Sequence, residues 1–125
     1  MKPLIFYCGT WRNVPDEVQG LCYIPVITTH TGEQLGAIGK SLVGDHRPTY
    51  DDAIFTNSDC ILLGLQVAVR NLKLKEPAPI QIKFYAADGL VYEMFIDVDG
   101  HVQGVDGHVP NGFFDAGTNL LLDLF

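Results

Sequence analysis

The sequence is poor in basic residues, and this shortage limits the partners that the protein is expected to bind. Lys and Arg number 8 against 15 Asp and Glu in 125 residues, which gives a net charge of -7. Proteins that bind nucleic acid neutralise its backbone phosphates with basic side chains. Direct binding to nucleic acid is therefore not expected.

Long apolar runs and secretion signals are also missing. No run approaches the roughly 18 apolar residues that a membrane-spanning helix requires. The run from Leu4 to Cys8 is too short for the apolar part of a signal peptide. The sequence therefore predicts a soluble, cytoplasmic protein that has no membrane partner.

Cysteine is scarce, and its spacing fits no common site. Cys8, Cys22 and Cys60 form neither a C-x-x-C pair nor a zinc-binding pattern, so reduced thiols are expected. One alternative stays open. If residues 3–9 and 20–29 paired as an antiparallel hairpin, Cys8 and Cys22 would lie nearly opposite each other and could form a cross-strand disulfide.

Apolar residues are abundant, at 47% of the chain, and their pattern predicts one α+β domain over residues 1–125. Residues 3–8 form a short apolar run that is typical of a buried strand. We expect further strands at 20–30 and 33–43, followed by a polar loop at 44–55.

The clearest helix is predicted at about 58–73. Ser58 can cap its first turn, and basic residues gather at its other end. Its apolar residues recur at helical spacing, so this helix should cover one face of a sheet. The residues of this stripe are Ile61, Leu62, Leu65, Ala68, Val69 and Leu72.

Two Asp-Gly pairs, at Asp88 and Asp99, predict tight hairpin turns in the second half of the chain. We expect a meander of strands at 80–87, 90–98 and 101–106, and a short C-terminal helix at 115–125. The complete prediction is a mostly antiparallel, twisted sheet of five to six strands, with one main helix on one face.

The charge is distributed unevenly, and this is the most informative feature of the sequence. Up to Lys83, eight acidic and eight basic residues balance, and beyond Lys83 there are seven acidic residues and no Lys or Arg. The acidic end is either a solvated rim or a partner-binding surface. The residues predicted to bind a partner are Asp88, Glu93, Asp97, Asp99 and Asp106.

A short repeat suggests a second kind of site. The motif Val-Asp-Gly-His-Val begins at Val98 and again at Val105. Its acidic and histidine side chains are of the types that bind a metal ion. Such a site would require the chain to fold back at Gly104 or Gly107, and the alternative is a pair of exposed turns. The metal-ligand candidates are Asp99, Asp106, His101 and His108.

The segment 56–95 resembles the ribonuclease H family. Thr56 to Val69 is similar to that family's first helix, and Ile80 to Ala87 to its fourth strand. The resemblance implies phosphodiester cleavage with two divalent ions, Mg or Mn, held by four carboxylates. The family's four carboxylate positions correspond here to Cys8, Ile61, Ala87 (next to Asp88) and Asp115. The family's mobile histidine corresponds to His108.

A thiol at Cys8 and an isobutyl group at Ile61 cannot bind magnesium. The chain is therefore either a ribonuclease H-like domain that has lost its catalytic centre or an unrelated α+β domain.

The preferred hypothesis is a small acidic binding protein of the inhibitor or adaptor type. It would have no catalytic residue and no cofactor, and it would dock on a basic surface of a macromolecular partner. The first alternative is a metal-dependent nuclease or phosphodiesterase that uses Asp88, Asp115 and His108. The second alternative is a subunit of a homo-oligomeric assembly, suggested by the apolar content and the exposed sheet edges.

Overall fold

The computed structural model describes residues 3–19, 23–24, 31–44, 52–110 and 113. These residues form one six-stranded mixed sheet and three α-helices. The strands are β1 (Leu4–Gly9), β2 (Tyr23–Ile24), β3 (Ala53–Thr56), β4 (Ile80–Tyr85), β5 (Val91–Ile96) and β6 (Val102–Gly104). The helices are α1 (Asp16–Gln19), α2 (Gly32–Ser41) and α3 (Asp59–Leu72), and a 3-10 turn at Trp11–Asn13 precedes α1.

The sheet has the order β2-β3-β1-β4-β5-β6, and it joins a parallel half to an antiparallel half. The pairs β2–β3, β3–β1 and β1–β4 are parallel, and only β4–β5 and β5–β6 are antiparallel. The prediction of a mostly antiparallel sheet is therefore wrong. Helical crossovers are the reason, because α2 and α3 return the chain to the same end of the sheet before each new strand.

The antiparallel hairpin between residues 3–9 and 20–29, which was the condition for a Cys8–Cys22 disulfide, is not formed by β1 and β2. Strand β3 lies between β1 and β2, and both of them run parallel to it. Cys8 is a buried free thiol on β1, whereas Cys22 lies outside the described residues. Hydrophobic neighbours surround Cys8 in the main core, and its burial raises the pKa of the thiol far above its usual range.

The predicted strand at 33–43 is a helix, α2. Its start is fixed by a capping box: Gln34 N donates to Thr31 Oγ1 at 3.2 Å, and Thr31 N donates to Gln34 Oε1 at 2.7 Å. Glycines of the two helices lie where α2 meets α3. A Cβ atom on Gly39 would overlap the carbonyl oxygen of Ile61, and one on Gly64 would overlap that of Gly36. The two helices therefore touch through their backbones.

The helix predicted at 58–73 is confirmed as α3. Ser58 Oγ accepts a hydrogen bond from Ile61 N at 3.2 Å, and the helix ends at Lys73, which has a left-handed φ of 51°. Most of its apolar stripe is buried against the sheet together with α2, whereas Leu72 at its end is 43% exposed. The core of that face includes Leu4, Phe6, Ile54, Ile61, Leu65, Val69, Ile82, Met94 and Ile96.

The other face of the sheet carries a smaller cluster. Val14 and Val18, from the α1 region, pack with Phe55 on β3, and Tyr7 and Tyr85 lie against them. Because side chains alternate along a strand, Phe55 points away from the core that holds Ile54. The crossover from β1 to β2 thus lies opposite α2 and α3. Ala53, Ile54 and Phe55 belong to β3, so the predicted polar loop at 44–55 is wrong for its last residues.

The predicted meander is confirmed as β4, β5 and β6. Its Asp-Gly turns carry glycines with positive φ, 85° at Gly89 and 84° at Gly100, as the sequence pattern requires. The repeated motif makes a further turn at Gly107, where φ is 84°. The C-terminal helix predicted at 115–125 lies outside the described residues. Among the described helices, none combines the length and the hydropathy needed to cross a bilayer.

Candidate functional site

The five acidic residues predicted to bind a partner all lie on the meander or its turns, but they divide between its two ends. Strand β5 starts next to the Asp88 turn and ends next to the turn of Asp97 and Asp99, and β6 then runs back. Six residues in β5 span roughly 20 Å at about 3.3 Å per residue. Asp106 therefore shares an end with Asp88, while Asp97 and Asp99 lie at the other.

At the end that holds Asp97, the acidic side chains build the turn. Asp97 Oδ1 accepts hydrogen bonds from Asp99 N at 3.0 Å and His101 N at 2.9 Å, and Asp97 Oδ2 accepts one from Gln103 Nε2 at 3.0 Å. The bond from Gln103, followed by that from His101 N, lowers the pKa of Asp97 below its usual range. Its carboxylate is thus engaged within the turn.

This turn is attached to α3. Gln66 Nε2 donates to Gly100 O at 3.0 Å, and a Cβ atom on Gly100 would come within 2.5 Å of Gln66 O. A shallow depression beside it is lined by Leu63, Val67, Arg70, Asp99 and His101, among others. Arg70 places a positive charge next to Asp99, which makes this end less suited to a cationic partner.

At the opposite end, two aspartates again shape turns. Asp88 Oδ1 accepts a bond from Leu90 N at 2.8 Å, and Asp88 Oδ2 accepts one from the Tyr92 hydroxyl at 2.8 Å. Asp106 Oδ1 accepts a bond from His108 N at 3.0 Å. Each of these aspartates also brings a negative charge to the exposed surface.

Between these turns lies an open pocket of about 170 Å³. It is lined by Val91, Tyr92, Glu93, Val105, Asp106 and His108. Val91 and Val105 are 50% and 66% exposed, although both are large apolar side chains. Leu90 and Val109 are exposed close by along the chain. We call this combination of apolar walls and acidic rim the meander pocket.

The field in the meander pocket is negative. The pKa of Tyr92 is raised, mainly because its hydroxyl bonds to Asp88, then by partial burial and by the charges of Asp88 and Asp106. Lys83 Nζ lies 4.0 Å from Glu93 Oε1, and both side chains are partly exposed, so this ion pair is weak. The acids Asp88, Glu93 and Asp106 outweigh this single positive charge.

The four metal-ligand candidates do not converge. Asp99 and His101 lie in the turn between β5 and β6, whereas Asp106 and His108 lie beyond the other end of β6. In the described part of the chain, no group of three His, Cys, Asp or Glu residues is placed to hold a metal ion.

Residues of the nuclease hypothesis are brought together only in part. Asp88 and His108 lie at the same end of the meander, where Asp88 accepts a bond from the Tyr92 hydroxyl and His108 lines the pocket with Tyr92. Asp115 lies outside the described residues. The family positions at Cys8 and Ile61 are both fully buried in the core.

The residues that form the apolar walls of the meander pocket were not identified from the sequence. Val91, Tyr92 and Val105 follow the alternation of ordinary strand residues, and nothing in their spacing marks them as exposed. The signal in the sequence is the second Asp-Gly-His turn, which ends β6 early, so that among the described residues β6 does not pair with the start of β5.

Comparisons of this chain with protein-family models, with curated proteins and with solved structures give no match. The similarity of residues 56–95 to the ribonuclease H family stays a prediction from those motifs. An assignment of function therefore depends on the geometry and charge of the site itself.

Proposed function

We propose that this protein is a non-catalytic binding protein that docks on a basic surface of a protein partner. The observation that carries this proposal is the meander pocket, where exposed valines stand beside the carboxylates of Glu93 and Asp106. Apolar contact supplies affinity, and clustered carboxylates steer a cationic surface into place. Inhibitors and adaptors work in this way, and nucleic-acid-handling proteins present such basic surfaces.

Of the five predicted acidic residues, Glu93 and Asp106 line the meander pocket and are assigned to the contact. Asp88, whose two carboxylate oxygens accept bonds from Leu90 N and the Tyr92 hydroxyl, is assigned to the negative field beside the pocket. Asp97 and Asp99 are assigned to the turn that attaches the meander to α3, and they add to the long-range field. The fully buried thiol of Cys8 supports action in a reducing compartment such as the cytoplasm.

The test is affinity capture from cell extract at low and high salt. The baits are the natural chain, Glu93→Lys/Asp106→Lys, and a control, Glu17→Lys/Glu76→Lys, which makes the same charge change at exposed sites elsewhere. A partner retained by the natural chain and the control, lost by the site variant and released by high salt is the expected result. Equal recovery on all three baits would contradict the proposal.

The nuclease hypothesis is kept as a second candidate because Asp88 and His108 lie at one end of the meander. It would be a ribonuclease H-like activity dependent on Mg or Mn, and it predicts cleavage of a nucleic-acid substrate that Asp115→Asn and a chelator both abolish. Partner capture that a chelator leaves unchanged favours the binding protein.

The homo-oligomer hypothesis is distinguished by particle size. Leu63 and Val67 on α3 are 57% and 44% exposed and could form a contact between copies. Light scattering on the purified chain would then give a mass that is a multiple of 13.8 kDa.

A further inference from the structure

We propose that the meander pocket binds an arginine side chain of the partner, and this inference rests on the proposed function. One kind of ligand, a guanidinium group, is thus assigned to the meander pocket. The argument comes from how the sheet edge ends, from what lines the pocket and from where the charges lie.

The pocket forms because β6, which runs antiparallel to β5, ends before it reaches the first residues of β5. Their pairing ends where Val105 N donates to Glu93 O at 3.1 Å. The chain then turns away, with Gly107 N donating to Gly104 O at 2.9 Å. Gly104 permits this, because a Cβ there would overlap the carbonyl oxygen of His108.

The early end of β6 exposes part of the edge of β5. Alternate residues of a strand direct their N–H and C=O groups to opposite neighbours. Glu93 bonds to Val105 on the β6 side, so the main-chain groups of Val91, two residues earlier, point the same way. In the described part of the chain, the pairing of β5 with β6 does not reach Val91. Among the described residues, the Val91 carbonyl thus adds a main-chain acceptor to the carboxylates of the pocket.

An arginine matches these features better than other cationic side chains do. Its aliphatic stem can lie between Val91 and Val105, as long basic side chains do on apolar surfaces. Its planar guanidinium carries five donors and can serve Glu93, Asp106 and the Val91 carbonyl together. The ammonium of lysine is compact and strongly hydrated, and it uses fewer of these acceptors.

Charge complementarity supports the same occupant. Lys83 Nζ lies 4.0 Å from Glu93 Oε1 and offsets part of the negative charge of Glu93. Asp88 and Asp106 add two further negative charges near Tyr92. A guanidinium would therefore enter a region of net negative potential.

The experiment measures binding of fluorescein-labelled nona-arginine and nona-lysine to the full chain by fluorescence anisotropy. The two probes carry the same charge, so non-specific attraction to an acidic protein affects both alike. We expect nona-arginine to bind about fivefold more tightly at physiological salt.

Three variants locate the preference. Glu93→Gln/Asp106→Asn should weaken nona-arginine binding about tenfold, and Asp106→Asn keeps the oxygen that accepts from His108 N. Val91→Thr/Val105→Thr should remove the preference for arginine without any change of charge. Glu17→Gln/Glu76→Gln, which removes two exposed acids elsewhere, should keep it. Circular dichroism verifies that each variant is folded.

Equal affinity of the natural chain for the two probes would overturn the inference. So would a loss of the arginine preference in the control variant that matches the loss in the site variant. The proposed function fails separately, if capture of the partner does not depend on Glu93 and Asp106.

Discussion

The contact between α2 and α3 differs from the Gly89 and Gly107 turns of the meander in what an added side-chain atom would meet. A Cβ on Gly39 or Gly64 would strike main-chain atoms of the facing helix, whereas one on Gly89 or Gly107 would meet nothing within 4 Å. The charged residues follow a similar division. The last basic residue is Lys83 in β4, and the chain after it has seven acidic residues and no Lys or Arg. Close packing thus restricts the contact between the two helices, whereas the turns at Asp88 and Asp106 leave exposed charge free to serve recognition.

The largest effect is expected where the two helices touch. Gly39→Val should destabilise the fold by about 3 kcal/mol or more, because its side chain would overlap the backbone of α3 at Ile61. Gly36→Ala is the matched control, since its nearest neighbour, Cys60 O, is 3.9 Å away. This control should change stability little or raise it by about 0.5–1 kcal/mol through helix propensity. Urea unfolding measures both, and a natural midpoint for Gly39→Val would contradict the close contact.

A smaller effect separates the two ends of the meander. Gly100→Ala should cost about 2–3 kcal/mol, because it combines a positive φ with a contact to Gln66 O. Gly89→Ala also has a positive φ but free space around it, and it should cost about 1 kcal/mol. Thermal unfolding compares the two. Equal losses would show that the turn near Asp97 is not attached to α3.

The smallest effect concerns pH. Hydrogen bonds lower the pKa of Asp97 in the folded state, so its carboxylate stabilises the protein above its ordinary pKa. This contribution is lost as the pH falls through the lowered value. Asp97→Asn should therefore cost about 1 kcal/mol at about pH 7 and almost nothing at about pH 2. Asp99→Asn, in the same turn, is the control and should cost little at either pH, because it is the main-chain N–H of Asp99 that bonds to Asp97. If Asp97→Asn lowered the free energy of unfolding equally at both pH values, the stabilising role of the Asp97 carboxylate would be contradicted.

The features that the sequence predicted well are those set by neighbouring residues. Ser58 and the apolar stripe after it define α3, and the Asp-Gly pairs at Asp88 and Asp99 define the hairpins. The strand prediction for α2 was wrong because glycines lower helix propensity, while the capping box of Thr31 and Gln34 favoured the helix. The parallel pairing could not be predicted, because it depends on contacts between distant segments such as Gly39 with Ile61.

The candidate site was predictable to a similar degree. The acidic residues were identified from the one-signed charge after Lys83. Their division between two ends was not, because it depends on the register of β5 with β6. A count of charges treats Asp97 and Asp106 alike. In the structure, hydrogen bonds from Gln103 and His101 engage the Asp97 carboxylate, whereas Asp106 lines the meander pocket.

The central claim is that the meander pocket, and not the rest of the acidic surface, recognises cationic groups. The most direct test is a nitrogen-15 correlation spectrum of the full chain, titrated with nona-arginine at physiological salt. The account predicts chemical-shift changes concentrated in residues 88–93 and 104–108, with little change along α2 and α3. Changes centred on residues 97–101, or spread evenly over the exposed acids, would contradict it.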